Sequence, residues 1–316
     1  MANKPVCLNL AACNGIGDLI SATPVIKKLS ESYQAKITVL SPMPELFKNH
    51  PDVSDSFKFS SVDFDYFNSN YIVHNSFYNV GKKNERGIEI KHNRIDIRQF
   101  HAINLGFMLK ADELSCFYRP TEPRKNDIFP KRKYVVIHPV SNWPSRTWNA
   151  INWMKLTTDL NELGFDVVSV GKDSSEKGFF NIDKPVFNFE ISNGLNLMNK
   201  TSISDCWHLI NEAVALVTMD SGLLHLAGTT DTYIIHLGSS ISPQFRAPYR
   251  NNTQSYKYDY VRGICALECG SDMKYGVEEW GNIHGVPPII RCLENKPTFE
   301  CHPSVAQVIN SIKNVS

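Results

Sequence analysis

Short apolar segments alternate with amphipathic helical patterns along most of the chain, and this alternation limits the possible fold more than any other feature. Apolar runs occupy residues 5–11, 36–40 and 71–74, and helical patterns occupy 16–29 and 94–109. Buried strands that are connected by helices form a parallel sheet with helices packed on its faces. The sequence therefore predicts an α/β fold built on a parallel, doubly wound sheet.

A polar, proline-bearing stretch from Arg119 to Lys133 interrupts the alternation, which then begins again. A length of 316 residues also favours two structural units over one. We therefore expect two Rossmann-like domains facing each other across a cleft, at residues 1–125 and 126–303, followed by a closing helix at 304–316. In the second domain the sequence predicts an irregular segment over 250–303, strands at 134–138, 166–170, 216–218 and 233–237, and helices at about 149–163, 204–214 and from Gly222.

The charge balance limits the choice of partners. The chain carries 33 Lys and Arg against 32 Asp and Glu, so its formal net charge of +1 gives no general reason to expect nucleic acid or an anionic membrane. No apolar run approaches the roughly 18 residues of a membrane-spanning helix, and the first residues lack the apolar core of a signal peptide. We expect a cytoplasmic protein whose eight cysteines are mostly reduced thiols.

Two loops that each precede a predicted helix carry candidate binding groups. Gly15 and Gly17 can take positive φ angles and approach a ligand closely, and Asp18 between them and the helix is either a reactive carboxylate or a simple helix cap. In the second loop, Ser221 and Gly222 offer hydroxyl and backbone donors to a diphosphate. Asp220 can accept hydrogen bonds from sugar hydroxyls.

Two further side chains have both a functional and a purely structural interpretation. Arg146, in the loop after the strand at 134–138, can neutralise a phosphate through a forked contact or can be an ordinary solvated loop arginine. His225, one turn into the helix from Gly222, is by residue type either a ligand-binding or a helix-packing histidine.

Five motifs, taken in order, carry a resemblance to a known family. They are GIGDLISATPVIKKL at 15–29, HPVSNWPSRTW at 138–148, DVVSVGKDSSE at 166–176, NLMNKTSISD at 196–205 and MDSGLLHLAG at 219–228. Together they resemble glycosyltransferase family 9, the heptosyltransferases of lipopolysaccharide core assembly. The similarity runs from about residue 6 to 240, and its specificity comes from the joint occurrence of the motifs.

The resemblance implies a GT-B fold, in which the N-terminal half binds the acceptor and the C-terminal half binds the nucleotide sugar. It also implies an inverting transfer without a metal ion or other cofactor. Asp18 matches the family's candidate general base, and Gly15 and Gly17 lie beside it on the acceptor side. The residues that match the family's donor-binding positions are Arg146, Lys200, Thr201, Ser202, Asp220, Ser221, Gly222 and His225.

The sequence departs from the family pattern on the donor side. Val140 replaces the usual glycine after His-Pro, Tyr233 replaces a proline before the last strand, and Gly238-Ser239-Ser240 stands where Gly-Pro-Thr is common. The resemblance therefore identifies neither the transferred sugar nor the acceptor. The expected donor is an ADP-heptose-like nucleotide sugar or a UDP-sugar.

A basic segment in the acceptor half, residues 82–98, holds six Lys or Arg against three acids. It is either a solvated face or a site for an anionic acceptor, with Lys91, Arg94 and Arg98 as candidate contacts. An anionic saccharide such as a lipopolysaccharide core is the leading acceptor. The alternatives are a hydroxylated base in DNA, or no turnover at all in a module that only binds nucleotide sugars.

Two weaker signals concern metal ions. Asp63-Phe64-Asp65 has the spacing of an acidic metal-binding motif, but its loop position favours coincidence. Cys265, Cys269, Cys292 and Cys301 are compatible with a zinc-stabilised loop, although their spacing forms no paired CxxC knuckle and favours buried thiols. We predict no metal site.

Overall fold

Two parallel β-sheets with helices on their faces make up the computed structural model. The structure describes residues 4–13, 15–76, 95–140, 144–172, 191–250, 257–269, 292 and 294–315. Within those ranges no helix is both long enough and apolar enough to cross a membrane.

The first sheet has four parallel strands in the order β3-β2-β1-β4. Its strands are β1 (Val6–Asn9), β2 (Ile37–Ser41), β3 (Val53–Lys58) and β4 (Ile72–Asn75). The helices of this half are α1 (Ile16–Ser21), α2 (Thr23–Tyr33), α3 (Phe64–Asn70) and α4 (Ile97–Asn104). The central strands β1 and β2 are fully buried, as expected for apolar strands covered on both faces.

The second sheet has six parallel strands in the order β10-β9-β8-β5-β6-β7. Its strands are β5 (Tyr134–His138), β6 (Asp166–Ser169), β7 (Gly194–Asn196), β8 (Ala215–Thr218), β9 (Tyr233–Leu237) and β10 (Tyr258–Val261). The helices are α5 (Ala150–Glu162), α6 (Ile203–Glu212), α7 (Gly222–Ala227) and α8 (Val305–Lys313). The closing helix α8 packs on α5, β9 and β10. The predicted α/β class with parallel sheets is confirmed.

The two halves share a hydrophobic core. One continuous cluster of buried side chains includes Leu8 and Leu19 from the first half and Val136 and Leu224 from the second. Helices α1 and α7 pack directly against each other at this junction. Burial across the junction stabilises the arrangement of the two sheets, because apolar area is removed from water between them.

Several elements differ from the sequence-based expectation. The helix after β1 is interrupted at Ala22, so that α1 and α2 are separate. The edge strand β3 was not predicted because its residues are mostly exposed and polar. The segment 250–303 was expected to be irregular, and this is wrong at 258–261, where β10 adds a parallel edge strand beside β9. Its tyrosine-rich sequence has no apolar run that would mark a strand.

The topology decides where ligands can bind. In parallel α/β sheets the ligand crevice lies beyond the carboxyl ends of the strands, where the strand order reverses. In the second sheet that point lies between β5 and β8, and in the first between β1 and β4. The loops after these strands carry the candidate residues of both halves.

Candidate active site

A cleft of about 740 Å³ lies between the two halves. Residues from both sheets line it, including the loops after β1, β2, β5, β6, β8 and β9. Its charged and hydrogen-bonding side chains are those of Asp18, Glu45, Tyr118, Thr121, Glu122, His138, Arg146, Lys172, Thr201, Ser202, Ser204, Asp220, Ser221, His225 and Arg246. The structure therefore brings Asp18 and the Asp220-Ser221-Gly222 loop, which are about 200 positions apart in sequence, to one cavity.

Asp18 lies in the first turn of α1, three residues after the N-cap residue Gly15. Its carboxylate accepts a hydrogen bond from the Gly15 backbone N–H. This is half of a capping box, in which the third helical residue reaches back to the N-cap amide. The two interpretations of Asp18, a helix cap and a reactive carboxylate, are therefore compatible, because its carboxylate both caps the helix and lines the cleft.

The glycines near Asp18 serve close packing. A side chain on Gly15 would place its Cβ 2.7 Å from Asp18 Oδ2, and one on Gly17 would place it 2.7 Å from His225 Cδ2. Neither residue is among the positive-φ glycines, and Gly15 has an extended backbone with φ of −96°. The expectation of positive φ at these positions is wrong. The glycines are required because the carboxylate and the opposite half lie so near.

Burial raises the pKa of Asp18 to about 6, although the charges of Arg246 and Arg146 and the Gly15 amide oppose this effect. The carboxylate of Asp220 adds to the increase. A carboxylate with a pKa near 6 is still ionised at neutral pH and accepts a proton more readily than an ordinary aspartate does. Asp18 is therefore suited to take a proton from a hydroxyl group.

Asp220 has a different environment, because it is buried between two arginines. Arg146 Nε lies 3.3 Å and Arg246 Nε lies 3.7 Å from the same oxygen, Asp220 Oδ2. Burial alone would raise the pKa of Asp220, but Arg146 and Arg246 outweigh it and hold the pKa below its usual value. The Asp220 charge is therefore already engaged with cations of the protein.

The loop that carries Arg146 is fixed by contacts with the C-terminal segment. Trp148 is fully buried, and its Nε1 donates to the Pro303 carbonyl at 2.9 Å. His302 Nε2 lies 2.8 Å from the Ser145 carbonyl. Since Arg146 lies between these two anchored residues, its guanidinium is positioned by the scaffold.

The N-terminus of α7 is the predicted phosphate-binding loop. Ser221 is the N-cap residue, and its hydroxyl lies 3.0 Å from Thr218 Oγ1. His225 is buried, and its Nδ1 lies 3.4 Å from Ser21 Oγ of the opposite half. Burial lowers the pKa of His225 to about 3, so the ring is neutral. His225 thus joins the two halves and adds no charge to the cleft.

The other predicted donor residues are only partly in the cleft. Thr201 and Ser202 line it at the start of α6. Lys200 is exposed, is not among the lining residues, and donates from Nζ to the Asn196 carbonyl at 3.2 Å. Its donor-binding role stays a prediction.

Of the predicted anionic-acceptor contacts, Lys91 and Arg94 lie outside the described residues. Arg98 is buried and forms a forked pair with Asp96, with Nε donating to Oδ1 at 2.7 Å. Its Nη2 also donates to the Ala247 carbonyl at 3.0 Å. The structure therefore places Arg98 in a contact between the two halves, and it is not one of the cleft-lining residues.

Sequence reasoning missed Arg246, which lines the cleft and pairs with Asp220. The residue follows a short 3₁₀ turn at Pro243–Phe245, in the loop after β9. The signal that could have found it is its position, because this loop leaves the carboxyl end of a strand beside β8.

The structure places the residues of both metal-related signals. Asp63 is the N-cap of α3 and accepts from the amides of Asp65 and Tyr66, which explains the acidic spacing. The four C-terminal cysteines line one separate cavity of about 270 Å³. All are free thiols, and burial raises the pKa of Cys301 to about 12. In the part of the chain that the structure describes, no His, Cys, Asp or Glu group is arranged to hold a metal ion.

Comparison with known proteins now adds to this geometry. The model of glycosyltransferase family 9 (heptosyltransferase) matches residues 101–267, just over half of the chain. The chain belongs to this family. Lipooligosaccharide heptosyltransferase 2 of Haemophilus influenzae is 30% identical over 105 residues, which are 33% of this chain and 30% of that protein. The match thus spans under a third of the relative.

Solved structures of other glycosyltransferases share the fold. TibC of enterotoxigenic Escherichia coli, described as an iron-containing dodecameric glycosyltransferase, aligns with a TM-score of 0.70 at 18% identity, over 99% of this chain and 76% of TibC. ADP-heptose lipopolysaccharide heptosyltransferase II of E. coli aligns with a TM-score of 0.61 at 15% identity, over 98% of this chain and 99% of that protein. A family 9 protein of Veillonella parvula aligns with a TM-score of 0.64 at 14% identity, over 99% of this chain and 97% of that protein. This chain, as a member of family 9, therefore has the GT-B fold.

Proposed function

We propose that this chain is an inverting glycosyltransferase that transfers a sugar from a nucleotide diphosphate to a hydroxyl group of a saccharide acceptor, without a metal ion. One observation carries the proposal: a carboxylate with a raised pKa faces a cluster of arginines across one cleft. A base on one side and cations on the other are what displacement of a diphosphate by a hydroxyl requires.

The acceptor hydroxyl gives its proton to Asp18 as its oxygen bonds to the anomeric carbon. The bond from that carbon to the diphosphate oxygen breaks, and the electron pair leaves with the diphosphate. Because attack comes from the face opposite the leaving group, the anomeric configuration inverts. Asp18 then releases the proton to solvent.

The leaving diphosphate gains negative charge, which the C-terminal half is suited to stabilise. Arg146 and the Ser221 and Gly222 loop lie on this side of the cleft. Preorganised cations and N–H groups stabilise developing charge without reorganisation during the reaction. With these groups present, a divalent cation is not needed to neutralise the diphosphate.

ADP-heptose is the first donor to test, because the structure of TibC with ADP-D-β-D-heptose aligns with this chain at a TM-score of 0.70. UDP-sugars are the second. The full chain is incubated with each donor and a lipopolysaccharide core acceptor, and the product is characterised by mass spectrometry and by the NMR coupling of its anomeric proton. Inversion of the anomeric configuration of the transferred sugar supports the proposal. Retention of that configuration contradicts it, as does the absence of both transfer and nucleotide binding with every donor.

Metal dependence is tested by adding excess EDTA to the same assay, and we expect unchanged transfer. The metal content of the purified protein is measured separately, because TibC is described as iron-containing and four cysteines here share a cavity. Metal retained in the protein with EDTA-resistant transfer would not contradict the proposal. Loss of transfer in EDTA that Mg²⁺ or Mn²⁺ restores would contradict it.

A further inference from the structure

Arg246 has an unusual position for an arginine. Only 3% of its surface is exposed, yet it lines the cleft and is on the same side as Arg146. Both arginines direct Nε toward Asp220 Oδ2, at 3.3 Å for Arg146 and 3.7 Å for Arg246. These distances exceed the 2.7–2.9 Å of a short charge-assisted hydrogen bond. Asp220 therefore attracts both guanidinium groups without being tightly bonded to either through Nε.

The charges in this part of the cleft come from both halves. Arg146 and Arg246 act on Asp18 as well as on Asp220, so two guanidinium groups share the cleft with two carboxylates. Burial lowers the pKa of His138, His225 and His236 to about 4, 3 and 4, so these neighbouring rings are neutral. Guanidinium groups that line a cleft can donate hydrogen bonds to an anionic ligand there.

The backbone around Arg246 is held in place from both halves. The amides of Arg246 and Ala247 donate to the Pro243 carbonyl at 3.0 and 2.7 Å. Arg98 of the first half donates to the Ala247 carbonyl at 3.0 Å, while Asp96 holds the Arg98 side chain. The position of Arg246 thus depends on the contact between the two halves.

On the basis of the proposed function, we propose that Arg246 is a second phosphate-binding cation of the donor site, which Asp220 holds in place near Arg146. Arg146 and Arg246 would both contact the diphosphate. Forked guanidinium groups are suited to phosphate oxygens because each can donate two parallel hydrogen bonds. Asp220 then acts as a positioning residue for the two arginines, in addition to any contact with the sugar.

The affinity for a diphosphate compared with a monophosphate tests the inference most directly. ADP, AMP, UDP and UMP are each titrated by calorimetry into four proteins. These are the wild type, Arg246→Gln, Arg246→Lys and the control Arg132→Gln. Arg132 is a half-exposed arginine paired with Asp166 away from the cleft. Loss of one charge-assisted contact predicts about a 10- to 100-fold weaker diphosphate affinity in Arg246→Gln, a smaller loss in Arg246→Lys, and none in the control. Monophosphate affinity should change less.

A pH profile separates a role in the site from a general loss of structure. Arg246 is the strongest charge that lowers the pKa of Asp18, ahead of Arg146, while Asp220 raises it. Removing the Arg246 charge should therefore move the acid limb of kcat/KM to higher pH in Arg246→Gln but not in Arg246→Lys. A residue that only stabilised the fold would leave the limb unchanged.

The outcomes distinguish the two proposals. If the wild type binds neither diphosphate and transfers no sugar, the proposed function fails. If the wild type binds a diphosphate and both Arg246 variants bind it equally well, only the inference about Arg246 is overturned. If Arg246→Gln does not fold, Arg246→Lys provides the test. Equal losses of affinity for the diphosphate and the monophosphate in that variant would contradict a phosphate contact by Arg246.

Discussion

Asp18 and Asp220 are two carboxylates on opposite sides of one cleft, and their environments differ. Asp18 accepts a backbone N–H at the start of α1, and burial raises its pKa to about 6. Asp220 lies within ion-pair distance of Arg146 and Arg246, which hold its pKa below the usual value. Residues of the same type therefore have different chemical capacities.

The opposite pKa shifts of Asp18 and Asp220 indicate separate roles within the site. Pairs of titratable groups whose pKa values are moved in opposite directions commonly divide acid–base and electrostatic roles. Asp18 can take up a proton near neutral pH, whereas Asp220 remains an anion that positions cations. We therefore propose that the first half carries out proton transfer and the second stabilises the developing charge.

The largest expected effect is on turnover in Asp18→Asn. The amide keeps the size of the side chain but cannot take a proton, so kcat should fall about 10²- to 10⁴-fold. Affinity for the nucleotide diphosphate should stay close to that of the wild type, because Asp18 lies on the other side of the cleft. Steady-state transfer assays and calorimetry measure the two quantities, and transfer at the wild-type rate would rule out Asp18 as the base.

Asp220→Asn should instead lower stability. Removing one partner of a buried ion pair leaves charge without its counter-charge, which costs about 3–5 kcal/mol. Denaturant unfolding should show this loss in Asp220→Asn and no loss in Asp18→Asn at pH 8. Equal unfolding midpoints for Asp220→Asn and the wild type would show that the arginines do not depend on Asp220.

Gly17→Ala tests the close approach that holds the two carboxylates in one cleft. The new Cβ would lie 2.7 Å from His225 Cδ2, and overpacking of this kind costs about 2–3 kcal/mol. The double variant Gly17→Ala/His225→Ala is the matched control, since it removes the clash. Its unfolding free energy should exceed the value expected from adding the two single changes, and simple additivity would contradict a direct contact.

A further effect, confined to one pH window, is a gain of stability in Asp18→Asn. The folded-state pKa of Asp18, about 6, is above the value of about 4 expected when unfolded. The folded state therefore binds more protons between pH 4 and 6, and Asp18 lowers stability as pH rises through that window. Asp18→Asn should exceed the wild type by about 2–3 kcal/mol at pH 8 and match it near pH 4. A constant difference would contradict the raised pKa.

Much of the fold could be predicted because the central strands are apolar and continuous. β5 and β9 were predicted with their observed bounds, Tyr134–His138 and Tyr233–Leu237. The edge strands β3 and β10 could not be, since exposed edges tolerate polar and aromatic residues and leave no periodic signal.

The site could be predicted only where neighbouring residues form a motif. Asp18 and Asp220 each lie beside glycines at the start of a helix, which sequence alone can indicate. Arg246 is 26 positions after Asp220 and belongs to no such motif, so only the adjacency of β8 and β9 brings it there. The pairing of Arg98 with Asp96 likewise depends on side-chain positions that no sequence motif indicates.

The dependence of kcat/KM on pH tests the central claim, that Asp18 is the proton acceptor, most directly. With a pKa of about 6, kcat/KM should fall about tenfold for each pH unit below 6 and level off above 7. The residual activity of Asp18→Asn should lack this limb. A flat wild-type profile from pH 5 to 8, or the same limb in Asp18→Asn, would contradict the assignment.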